Sequence, residues 1–197
     1  FPAPPEGTVQ VSWAPAHGIR DLASTPNSFA GGNWSYTIDP DAQPPGVILS
    51  EFMADNKRTL RDEDGESSDW IELFNAGAST ANLSGWFLTD QTNKLARWRL
   101  PNVTLLPNQY LVVFASGKDR SNPASPLHTD FKLSSSPAYL ALSDRDTNVV
   151  SEFHPAYPAQ REDVSYGRDR SDPTLLGYFT TPDRKSTRLN SSHIAVS

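Results

Sequence analysis

Cysteine is missing from all 197 residues, and methionine occurs once. No disulfide framework and no thiolate metal site can form. Either side of a membrane remains open to a chain without cysteine. No apolar run approaches the length of a membrane-spanning helix, and no periodic glycine suggests collagen. The chain opens FPAPPEG, without an initiator Met, a basic leader or an apolar leader core. That opening reads as an interior fragment whose signal peptide, if it has one, lies upstream. The motifs HExxH, HxH, GxGxxG, GxSxG and the phosphate-binding P-loop are all absent. Positive charge is also short, with 17 bases against 23 acids. Three of those bases fall in the last fourteen residues, so the rest of the chain is the more acidic. Such a surface repels phosphate backbones, and no nucleic-acid partner is expected.

What the chain does have is short alternating strands. VILSEFM (47–53), DWIELFN (69–75), SGWFLTD (84–90), ARWRLP (96–101), NQYLVVFA (108–115), FKL (131–133), AYLALSD (138–144), VVSEF (149–153), EDVSYG (162–167) and LLGYF (175–179) follow at intervals of roughly ten to fifteen residues. That rhythm predicts an all-β sandwich or barrel over residues 47–183, with no amphipathic helix. Uninterrupted alternation predicts a core of Ile48, Phe52, Ile71, Leu73, Trp86, Leu88, Leu111, Val113, Leu140 and Leu142. Residues 1–39 carry two further alternating runs, TVQVSW and NWSYTID, and read as the last strands of a preceding β-domain. Residues 40–46, PDAQPPG, read as a proline-rich linker. Residues 184–197 change character abruptly and read as a disordered tail; KSTRLNSSH resembles translated sequencing-adapter read-through.

The sharpest chemistry lies between the first two strands. Asp62, Glu63, Asp64, Glu66, Asp69 and Glu72 fall within eleven residues and include no base. Carboxylates this dense repel one another unless water or a cation separates them. Ca²⁺ takes six to eight oxygen ligands, so Asp62, Asp64, Glu66 and Asp69 are candidate calcium ligands around a turn at Gly65. The order departs from the EF-hand pattern, because Gly65 directly follows Asp64 and no Glu closes a twelve-residue loop. A solvated acidic loop, partly offset by Arg58 and Arg61, is the competing expectation.

Other candidates are weaker. Glu51 and Glu72 could meet if the first two strands are neighbours, yet no cleft-forming insertion accompanies them as acid–base catalysis would require. His128, Asp130 and Ser134 are close in sequence without a nucleophile elbow. Arg97, Trp98 and Arg99 interleave charge with an indole and form a candidate binding patch. The alternation also allows an outer pair of arginines over an inward Trp98.

The pieces ILSEFMA, SDWIELFN, NLSGWFLTD, YLVVFASGKDR, LHTDFKLS, AYLALSD and DVSYG resemble the lamin-tail domain, in order, over about residues 46–180. The resemblance implies an immunoglobulin-like β-sandwich of the bacterial secreted branch, extracellular or at the cell surface. It implies a non-enzymatic interaction or structural module of a larger polypeptide, with a protein or cell-wall glycan partner and neighbouring domains of the same chain. The alternatives are a carbohydrate-binding accessory module, or the non-catalytic arm of a CotH-type kinase-like or phosphoesterase enzyme. Apart from Ca²⁺, no cofactor is expected.

Overall fold

The computed structural model describes residues 7–13, 17–38, 46–169 and 172–179. The tail 184–197 and nearly all of the linker 40–46 lie outside the described residues. The chain forms two compact units, Phe1–Pro44 and Pro45–Ser197. Every regular element among the described residues is a strand.

The first unit is a two-stranded ribbon of β1 (Gly7–Ser12) and β2 (Asn33–Ile38), paired antiparallel from Gly7↔Ile38 to Ser12↔Asn33. Its long connection folds back on itself, with Phe29 N donating to Ile19 O at 3.0 Å and Asp21 N to Asn27 O at 3.1 Å. The Asp21 carboxylate closes this turn by accepting from the backbone N–H groups of Ala23 and Asn27. The rings of Trp13, His17 and Phe29 meet pairwise at 5.3 to 5.8 Å, and Trp13 and Phe29 stay about half exposed.

The second unit is a sandwich. Its strands are β3 (Val47–Met53), β4 (Trp70–Asn75), β5 (Ala81–Asn82), β6 (Phe87–Thr89), β7 (Trp98–Arg99), β8 (Thr104–Leu105), β9 (Tyr110–Phe114), β10 (Leu127–His128), β11 (Ala138–Ser143), β12 (Val149–Tyr157), β13 (Ser165–Arg168) and β14 (Leu176–Phe179). One sheet runs β10-β9-β4-β3-β13-β14, the other β12-β11-β6-β7, and β5-β8 form a short ribbon. All pairs are antiparallel except β9 with β10. Between the sheets lies one apolar core that includes Val47, Leu49, Phe52, Ile71, Leu73, Trp86, Leu88, Trp98, Leu111, Val113, Leu140 and Leu142. Phe52, Phe153, Tyr157 and Tyr166 fill one end of it with rings 4.6 to 5.9 Å apart.

Ile48 is not in that core. It pairs with Phe74 on the outer face, while Val47 and Leu49 point inward. The pairing slips between Leu49↔Leu73 and Glu51↔Glu72, leaving Ser50 as an extra residue. This β-bulge resets the alternation, so Phe52 turns inward although Leu49 already did. The bulge therefore also sends Glu51 outward, beside Glu72. The predicted FKL strand is only an isolated bridge, Ser116↔Lys132.

Arg168 ties the two sheets together. Its guanidinium donates to Leu49 O at 3.2 Å, to Glu152 O at 3.1 Å and to Pro173 O at 3.0 Å, and lies 5.4 Å from the Phe153 ring centre. Donation to Glu152 O also occupies an acceptor on β12, an edge strand that would otherwise invite pairing.

Candidate functional site

Residues 54–69 leave the end of β3, cross the outer face of the six-stranded sheet and return at β4. We call this segment the strap. Asn56 organises its start. The Asn56 amide donates to Leu60 O at 2.6 Å and to Ser68 O at 2.8 Å, and its carbonyl oxygen accepts from Thr59 N at 3.0 Å. The Asp163 carboxylate accepts from Lys57 N at 2.8 Å and Arg58 N at 2.9 Å, and pairs with the Arg58 side chain at 3.0 Å.

Asp62 organises the acidic turn. Its Oδ1 accepts from the backbone N–H groups of Asp64 at 3.0 Å and Glu66 at 2.9 Å, and its Oδ2 accepts from Ser68 Oγ at 2.8 Å. Gly65, at φ 81, allows its N–H to reach Asp62 O at 2.9 Å. The repulsion expected of this turn is met by cations from the arm between β9 and β10. Lys118 Nζ lies 2.6 Å from Asp62 Oδ2, 2.6 Å from Asp64 Oδ2 and 3.0 Å from Glu66 Oε2. Arg120 pairs with Glu63 at 2.6 Å and Asp64 at 2.9 Å. His128, fully buried and stacked on Phe114, places Nε2 2.9 Å from Glu63 Oε2.

The charge states follow from these contacts. Burial opposes ionisation of Asp62, but Lys118, Ser68 and the Glu66 N–H outweigh it and hold the carboxyl down to about 2. Burial likewise opposes Glu63, and His128 and Arg120 carry it below the usual range. Lys118 and Arg120 lower Asp64. Desolvation works against the Lys118 ammonium, yet its three carboxylates raise its pKa. Asp69 behaves oppositely. Burial pushes it up to about 6, against the Asn56 N–H that donates to it at 3.1 Å.

Three of the four candidate calcium ligands, Asp62, Asp64 and Glu66, thus surround one point, and the Lys118 ammonium occupies it. Asp69 instead bonds the start of the strap. Among the described residues, no group of three or more His, Asp or Glu side chains is arranged to hold a metal ion.

His128 also reaches Ser116, whose Oγ lies 2.8 Å from Nδ1. A hydroxyl, an imidazole and a carboxylate therefore stand in a row. Ser116 is buried at 8% exposure, and its Oγ also accepts from Lys118 N at 3.2 Å. That arrangement ties β10 to the strap. His128 takes Ser116 and Glu63, 12 and 65 residues away, rather than the neighbouring Asp130 and Ser134.

Glu51 and Glu72 do meet, as register partners on the outer face. Both are buried. Ser165 Oγ donates to Glu51 over a short contact, and Ser50 Oγ donates to Glu72 at 2.7 Å. They form the floor of a shallow concavity walled by Ile48, Phe74, Tyr110 and Arg168. Phe74 and Tyr110 stack there at 4.4 Å.

The Arg97–Trp98–Arg99 patch separates. Trp98 lies in the core, 3% exposed, with its indole N–H donating to Asp119 at 3.1 Å. Arg97 pairs closely with Asp90, lies 3.4 Å from Asp130, and covers the Phe131 ring at 4.7 Å. Arg99 is exposed, beside Gly85.

Sequence reasoning missed Lys118, Arg120 and His128 as partners of the acidic turn. The local signal for Lys118 and Arg120 is a pair of bases in SGKDR, and nothing in that run or around His128 points 52 to 65 residues back.

A family model described as Lamin Tail Domain matches residues 40–155. No curated protein matches the chain. The match ends inside β12, whereas the six-stranded sheet is completed by β13 and β14 beyond it.

Proposed function

The chain belongs to the lamin tail domain family, a family of non-enzymatic immunoglobulin-like modules, and from that premise we propose that it positions or binds partners within a large secreted or cell-surface bacterial protein. The partner is a protein or a cell-wall component. One observation carries this reading. The side chains best equipped for chemistry, Asp62, Glu63, Ser116, Lys118 and His128, are bonded to one another across the strap and the β9–β10 arm. They hold shape. The ribbon of β1 and β2 fits the role of closing strands of a neighbouring β-domain, because a two-stranded ribbon is marginal by itself. Calcium at the acidic turn would have to displace the Lys118 ammonium.

A carbohydrate-binding role has one observation in its favour, the half-exposed Trp13 and Phe29 on the ribbon unit. Aromatic faces of this kind stack on sugar rings, which the buried Trp98 cannot do. The reading as an arm of a multidomain kinase-like or phosphoesterase enzyme adds a catalytic neighbour and leaves this module's role unchanged.

The test is binding of the whole chain to immobilised peptidoglycan, wall glycans and cell-surface protein, alongside ester and phosphoester substrates. Saturable binding without turnover is expected. Turnover that disappears in Ser116→Ala or Glu72→Gln would overturn the proposal. Glycan binding lost in Trp13→Ala and Phe29→Ala would favour the carbohydrate reading.

A further inference from the structure

We propose that the strap, residues 54–69, opens and closes as a unit separate from the sandwich, locked shut by its ion pairs with the β9–β10 arm. Four observations converge. First, the strap covers a small apolar cluster of its own. Met53, Trp70 and Phe114 are buried on the outer face, with Leu60 from the strap and Val112 against them, apart from the main core. So small a satellite supplies little hydrophobic force to hold a sixteen-residue segment down.

Second, the strap's order is largely internal. Asn56 bonds Leu60 and Ser68, Asp62 bonds Asp64, Glu66 and Ser68, and Asp62 N donates to Glu66 O at 2.9 Å. A segment that keeps its own shape can lift without unravelling. Third, its ties to the rest of the molecule are mainly charged. Asp163 holds Lys57 and Arg58 at one end, and Lys118, Arg120 and His128 hold the acidic turn at the other. Asp163 and Asp119, one at each docking point, adopt φ of 56° and 52°, a region that costs a non-glycine residue energy. Fourth, the closed state leaves a donor unsatisfied. The Trp70 indole N–H, in the cluster that Leu60 of the strap packs against, is buried and finds no acceptor among the described residues. Opening returns that N–H to water, which offsets part of the cost of exposing Leu60 and the apolar side chains beneath it.

Arg120 and Asp64 are about 40% exposed at their side chains, so solvent ions reach part of the lock. Screening then weakens it, whereas strand pairing in β4 and β9 is insensitive to salt. Opening is therefore favoured by raised ionic strength or by removal of Lys118.

Amide hydrogen exchange of the full chain, wild type and Lys118→Met, at about 0.02 M and about 0.5 M sodium chloride and fixed pH tests this. In wild type at low salt, the Lys57 and Arg58 amides of the strap, which donate to Asp163 across the closure, are expected to exchange by an opening distinct from that of Leu73 and Leu111. Lys118→Met should accelerate the strap amides about tenfold or more, and Leu73 and Leu111 by no more than the same factor, so that the strap still exchanges ahead of the sheet. High salt should accelerate the wild-type strap and narrow the gap between the two proteins. Strap amides that exchange in step with Leu73 and Leu111, or ignore salt in wild type, would overturn the proposal. If Lys118→Met does not fold, the wild-type salt series decides alone.

Discussion

Replacing Asp69 with asparagine should stabilise the protein at neutral pH and leave it nearly unchanged near pH 4. Burial raises the Asp69 carboxyl from its usual 3.8 to about 6, while Asn56 N–H donates to it. The folded state therefore binds this proton more tightly than the unfolded state. Its stabilising effect is fully present below pH 3.8 and is lost as pH rises through about 6. The rise from 3.8 to about 6 corresponds to about 3 kcal/mol. Asp69 retains some exposure, so solvent screening reduces that figure to about 1.5 kcal/mol. Asparagine keeps an oxygen for the Asn56 N–H and carries no charge to bury. The expected gain near pH 7.5 is about 1.5 kcal/mol, which in a domain of this size raises the melting midpoint by about 5 °C. Urea unfolding followed by tryptophan fluorescence measures it, with both proteins compared at about pH 4 and about pH 7.5. Equal advantage at the two pH values, or an asparagine variant weaker at the higher pH, would refute the burial argument.

Three further outcomes are expected. Lys118→Met should cost about 2 kcal/mol in urea unfolding, because Asp62 is left buried without its cation. Gly167→Ala should destabilise by about 3 kcal/mol or more, its new Cβ falling 2.2 Å from Ser50 O, whereas Gly177→Ala, with nothing within 4 Å, should be neutral or gain up to about 1 kcal/mol; thermal melts of the pair settle it. Arg168→Met should cost about 2 to 3 kcal/mol by equilibrium unfolding, as the Leu49, Glu152 and Pro173 carbonyls lose their shared donor, and Arg168→Lys should recover only part of that.

Period-two alternation made most of the sandwich legible, because a half-buried strand writes its inward face into the sequence. Nine of the ten expected core residues are buried as read, Ile71 and Leu140 among them. Ile48 was misplaced because VILSEFM is apolar on both faces, and only the partner strand reveals the slip at Ser50. A bulge is a property of pairing, so one strand's composition cannot announce it. The acidic turn was legible as a concentration of charge. Its solution was not, since Lys118, Arg120 and His128 reach it through the parallel pairing of β9 and β10, which no local pattern encodes. Trp98 shows the opposite case. Alternation allowed an inward Trp98 as the alternative to a binding patch, and the structure buries it.

The lock on the strap joins residues 52 to 65 positions apart, whereas Ser50 and Glu72, on the strands that flank the strap, are 22 apart. Closing the longer loops costs more chain entropy and requires β9 and β10 to be in place already. The strap is therefore expected to dock late on the folding route, after the sheets have assembled. Interactions formed that late govern how fast the native state comes apart and have little influence on how fast it is reached. Loss of Lys118 belongs in the unfolding limb of a chevron plot, and the ion pairs at Lys118 and Arg120 act as a brake on unravelling in a protein that has no disulfide to do so.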